Sequence, residues 1–152
     1  NVNNILNMSE IFLKLWLFKE GIKRGYYPFM EFPVNFLKGL IDVDGKADVI
    51  WFKKTRKSGR FKPVFVFEIE GTSKYILSTK TFEYEDKSTE QIDKNRAKLE
   101  RLHGAYKIPV LHFKTNWKGE YEVNWKKPKS LDFKIPNFNP MQWLEFVRKN
   151  VD

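Results

Sequence analysis

The chain has no cysteine among its 152 residues. Disulfides and thiolate metal sites are therefore excluded, and an intracellular setting is the expectation. Histidine is nearly absent too. His103 and His112 are the only two, neither has a partner at metal-ligand spacing, and no role is assigned to them. Acidic residues are in deficit, with 19 Asp plus Glu against 28 Lys plus Arg and a net charge of +9. Such an excess favours a polyanionic partner, nucleic acid first and an anionic membrane second. Long apolar runs are also missing. "IFLKLWLF" (11–18) is interrupted by Lys14 and too short to cross a bilayer, and no cleavage-site pattern follows it. It reads as the buried face of a helix, and no membrane partner is expected. Neither repeats nor an internal linker divide the chain, so residues 1–152 are expected to form one domain.

What is present indicates a folded chain: 41% of residues are hydrophobic and 16% aromatic. Ser9 is placed to cap a helix in which Ile11, Leu15 and Phe18 recur at helical spacing, up to a stop at Gly25. "MEFPVNFLKGLIDVD" (30–44) reads as one or two extended segments broken at Pro33 and Gly39. "KADVIWFK" (46–53) predicts a strand. The polar turn "KTRKSGR" (54–60) joins it in a hairpin to a second strand, 62–70. "STEQIDKNRAKLERLHG" (88–104) predicts a helix, with Ser88 and Gln91 at capping-box spacing and Gly104 as its close. "IPVLHFKT" (108–115) is a further strand, with "EYEVNWK" (120–126) as a candidate partner, and "MQWLEFVRKN" (141–150) a short terminal helix. The order helix, strand, strand, strand, helix, strand predicts an α/β domain with a mixed sheet, its core over 9–114 and an extension over 115–152.

The second hairpin strand, "KPVFVFEIEGTSK" (62–74), ends an apolar run with two carboxylates, Glu68 and Glu70, at alternate positions and therefore on one face. Adjacent carboxylates repel unless something positive lies between them. In an antiparallel hairpin the start of one strand lies beside the end of the other, which brings Asp48 next to Glu68 and Glu70. Three converging carboxylates suit a hard divalent cation, Mg²⁺ or Mn²⁺, which prefers oxygen ligands.

Asp48, a gap of about twenty residues, then Glu68-Ile69-Glu70 within this element order resembles the PD-(D/E)XK nuclease superfamily, which includes restriction endonucleases and archaeal Holliday-junction resolvases. The resemblance covers roughly residues 9–114. It implies a restriction-endonuclease-like core of mixed sheet flanked by helices, and metal-dependent hydrolysis of DNA phosphodiesters. Asp48 and Glu68 match the family acids. Glu70 stands where the family has lysine, and Lys74 is a candidate to supply that charge. Glu10 matches an extra metal ligand of resolvase-like members, and Gln91 a polar helix residue near the site. Relatives that cut two strands generally pair, so a homodimer is implied. The same departure at Glu70 is what a non-catalytic nucleic-acid-binding module keeping this fold would show.

The hairpin turn is basic. Lys53, Lys54, Arg56, Lys57, Arg60 and Lys62 are candidates for phosphate contacts that position DNA, against the reading of a solvated tip. Lys94, Lys98 and Arg101 read as solvating the second helix. Trp117, Trp125 and Trp143 read as core residues before stacking residues.

Overall fold

The computed structural model describes residues 2–71, 89–115, 121–123, 145 and 148–150. Helix α1 (Val2–Lys23) leads into strand β1 (Tyr27–Pro33), a short 3₁₀ turn (Val34–Phe36), strands β2 (Lys46–Lys54) and β3 (Phe61–Gly71), helix α2 (Thr89–Tyr106), and strands β4 (Val110–Thr115) and β5 (Tyr121–Val123). The five strands form one sheet in sequence order. β1–β2, β2–β3 and β4–β5 are antiparallel, and β3–β4 is parallel across the segment that carries α2. This is the mixed sheet with flanking helices that the sequence predicts.

β2 and β3 are continuous apolar runs because both faces of the sheet are covered. On one face Leu13 and Leu17 of α1 pack on Val49, Trp51, Phe65, Phe67, Ile69 and Leu111. On the other, Leu99 and Leu102 of α2 pack with Ala47, Ile50, Phe52, Val66 and Val110. Trp51 is the centre of the α1 side. Its ring stacks on Tyr26 at 5.4 Å and meets Phe67 at 4.6 Å, and its indole N–H donates to the Leu17 carbonyl at 3.1 Å.

The helix ends show where local signals held and where packing overrode them. Gly25 stops α1 with φ 84°. Its N–H donates to Ile22 O, and the Tyr26 N–H reaches Gly21 O, the paired bonds of a glycine-terminated helix. The start is different. α1 already begins at Val2, so Ser9 is interior to the helix and does not cap it. Gly104 does not close α2 either. With open space around the position it stays helical, and the helix runs on to Tyr106, with Lys107 just beyond it at φ 55°. Two bonds hold that last turn: the Tyr106 hydroxyl donates across the fold to Lys38 O at 2.7 Å, and His103 Nδ1 pairs locally with Ile108 O at 2.8 Å. The segment 30–44 is extended only to Pro33, then coils through turns whose buried Val34, Leu37, Leu40 and Val43 enter the α2-side core. Ser88, like most of the C-terminal extension, lies outside the described residues.

A Cβ on Gly21 would stand 2.6 Å from Trp51 Nε1, so α1 sits this close to the sheet only because the position has no side chain. Gly21→Ala should therefore destabilise the fold by about 1–3 kcal/mol through overpacking, although alanine favours helix. Urea unfolding checks this, and an unchanged or raised midpoint would show that Trp51 yields freely.

Candidate functional site

The β2–β3 hairpin changes phase part-way along. Near the tip Lys53 pairs with Lys62 and Phe52 with Pro63, but Trp51 pairs with Phe65 and Val49 with Phe67. Val64 is the extra residue of a bulge. Carried on without it, the tip register would set Asp48 opposite Phe67. With it, the ladder continues to Glu68. Beyond the last rung the Ile69 N–H donates to Asp48 Oδ2 at 2.8 Å, so the carboxylate closes the strand pair where main-chain bonding stops.

Asp48 and Glu68 consequently lie within hydrogen-bonding reach of each other. Glu68 is only 7% exposed. Burial, reinforced by the Asp48 charge and opposed by Lys98, pushes its carboxyl up to about 8. Its Oε1 makes no hydrogen bond. The Lys98 ammonium stands 3.1 Å from that oxygen, close enough to pair with it by charge. Lys98 instead donates to the Lys46 carbonyl at 2.8 Å.

Lys98 corrects the sequence reading. It does not solvate α2 but is 8% exposed and points inward, against Gly45, where a Cβ would press its Cδ at 3.3 Å. The available signal was its place on the apolar stripe, four residues before buried Leu102. Arg101 is also engaged, gripping Asp42 with both guanidinium nitrogens at 3.2 and 2.9 Å.

On the α1 side Lys14 donates to Glu31 Oε1 at 2.9 Å and lies 3.7 Å from Asp48 Oδ1. Burial alone would lower the Lys14 pKa, but the Glu31 bond and the charges of Asp48, Glu31 and Glu10 outweigh it and the net shift is upward. Glu10 thus belongs to the same electrostatic neighbourhood, from within α1 and not from its start. Glu31 was missed. It continues the register row of Asp48 from β1, with φ 54° in mid-strand, a distortion that no local pattern marks.

Glu70 is placed by backbone only, opposite Lys114 of β4 in the parallel ladder. Its side chain and that of Gln91 lie outside the described residues, as do Lys74, Trp117, Trp125 and Trp143. Among the described residues no group of three His, Asp or Glu side chains forms a metal site. Two adjacent carboxylates are a donor set that a hard divalent cation could neutralise, here with the Lys98 ammonium already 3.1 Å from Glu68 Oε1.

The basic turn is exposed throughout, from Lys53 and Lys54 through Arg56, Lys57 and Arg60 to Lys62. It occupies the far end of the hairpin. Lys54 lies six residues along β2 from Asp48, about 20 Å at strand rise.

Comparison with known proteins finds no matching family model, no similar curated protein and no similar solved structure. No helix among the described residues is long and apolar enough to cross a membrane.

Because Glu68 titrates higher folded than unfolded, the folded state binds more protons between about pH 4.5 and 8. Stability of the metal-free protein should fall as pH climbs through that window. Glu68→Gln removes the titrating group, so the variant should gain on wild type steadily from pH 5 to 8 in thermal melts with EDTA. Parallel curves would contradict the assignment.

Proposed function

We propose that this chain is a metal-dependent nuclease with a restriction-endonuclease-like core, hydrolysing DNA phosphodiesters under the direction of DNA structure (junction, flap or end). The observation that carries the reading is the Asp48–Glu68 pair with the buried Lys98 ammonium beside it. Acid, acid and lysine are the groups that the resemblance implies, with the lysine arriving from α2 in place of position 70. Asp48, Glu68 and Glu70 would hold Mg²⁺ or Mn²⁺, which when bound acidifies a water and offsets charge on a phosphate oxygen. Lys98 holds Glu68 in place and adds positive potential where phosphate charge would develop. Lys14 orients Asp48 from the other side. Cutting both strands would call for two copies.

The alternative, a non-catalytic nucleic-acid-binding module, draws on one feature: Glu68 is buried and already countered by Lys98. Incubation with branched and linear DNA in Mg²⁺, Mn²⁺ or EDTA separates the two. Asp48→Asn and Glu70→Ala should abolish metal-dependent cleavage and leave DNA binding intact. Binding by all three proteins with no cutting of any substrate would establish the module instead.

Charge reversal at Arg56, Lys57 and Arg60 tests the distal turn separately. It should weaken DNA binding and flatten its salt dependence by about 0.9 in slope for each phosphate no longer neutralised. An unchanged slope would leave the turn a solvated tip.

A further inference from the structure

The face of the sheet that carries Glu68 also holds an aromatic surface that α2 does not cover. Tyr27, Phe29, Phe36 and Phe61 are 45%, 47%, 77% and 54% exposed. Their rings are braced as a set. Tyr27 meets Phe61 edge-on at 5.0 Å, Phe29 meets the buried Phe52 at 5.6 Å, and Phe36 meets the half-buried Phe32 at 6.3 Å. The surface is therefore anchored in the α2-side core, to which Phe52 and Phe32 belong. Clustered exposed rings on a folded domain mark a binding surface.

Three observations choose the occupant. β1 is an edge strand, but Pro28 and Pro33 remove amide donors and Glu31 bends it at φ 54°, so strand addition by a second copy is blocked. Lys54 lies opposite Phe61 in the hairpin register, and the exposed Arg56, Lys57 and Arg60 follow at the tip. That charge repels a second copy and attracts a polyanion. The apolar part consists of rings, whose flat faces match bases and not acyl chains.

We infer that this surface binds a single-stranded segment of nucleic acid, with unpaired bases stacked on Tyr27, Phe29, Phe36 and Phe61 and phosphates held by Lys54 and the turn. A duplex hides its base faces and gains only the charge contacts. Phe29 lies opposite Ile50, two residues or about 7 Å along the strand from Asp48, so a strand lying on the rings leads to the carboxylates. The binding surface stands by itself. Its use in selecting substrates with an unpaired segment rests on the nuclease reading.

The test is fluorescence anisotropy of the full chain in EDTA, with labelled 20-nucleotide oligo(dT), oligo(U) and a blunt duplex. Wild type should bind a single strand at least about tenfold more tightly than duplex, and the oligo(dT) and oligo(U) arms separate DNA from RNA. The Phe36→Ala, Phe61→Ala double variant should lose about tenfold or more for single strands, with an unchanged melting curve and the same salt slope. Phe61→Trp should retain affinity, with the added indole emission quenched on binding. The assay contains EDTA and reads binding alone, so failure of cleavage leaves this result readable, and the reverse. The inference is overturned by a double variant that binds single strands normally or by a preference for duplex. It is equally overturned if the same substitutions release the protein from anionic vesicles, or dissociate a dimer in sedimentation.

Discussion

Burial of the Glu68 carboxyl against Lys98 is the constraint around which the rest is arranged. Keeping an ionised carboxylate and an ammonium out of water costs several kcal/mol per ion unless attraction and hydrogen bonds offset it, and the upward shift of the Glu68 carboxyl to about 8 is how that cost shows. Here the offset is partial. Lys98 has the Lys46 carbonyl as well as Glu68, while Glu68 Oε1 has a charge nearby but no hydrogen bond. The segment before β2 is shaped to admit this. Gly45 at φ 109° leaves room for the lysine stem, and its carbonyl accepts from Val34, which ties the turn to the core. Docking of α2 through Leu99 and Leu102 sets the ammonium where it is.

The carboxylates sit at a seam between two independent packing faces. Lys14 reaches them from α1 and Lys98 from α2, so each helix delivers one cation to the hairpin from its own side. A shift of either helix changes the charge balance without breaking a strand. That arrangement makes the site sensitive to packing at a distance, notably to how closely Gly21 lets α1 approach Trp51.

Much of the fold was legible because its signals are local. The apolar runs of "KADVIWFK" and "KPVFVFEIEG", the turn between them and the stop at Gly25 all depend on near neighbours. The pairing of Lys53 with Lys62 followed from the turn. What failed was decided by tertiary contacts. The bond from Tyr106 to Lys38 helps carry α2 past Gly104, and Leu37 and Leu40 fold the 30–44 segment into the core instead of extending it. At the site, the neighbourhood of Asp48 and Glu68 was readable from the hairpin. The partners were not: Glu31 depends on a backbone distortion, and Lys98 sits thirty residues beyond Glu68 on an element whose docking angle no pattern encodes.

The extra residue at Val64 has an effect on β3 as a whole. In an uninterrupted strand, Phe61 and Glu68 differ in parity and would look out from opposite sides of the sheet. The bulge turns the strand over once between them, and both end on the α2 face, the ring of Phe61 at one end and the carboxyl of Glu68 at the other. The same inversion sends the neighbouring Val64 and Phe65 together to the α1 side. One inserted residue thus works as a phase shifter. It lets a single strand present a stacking surface and an acidic centre in the same direction while each end keeps the register its own neighbours demand.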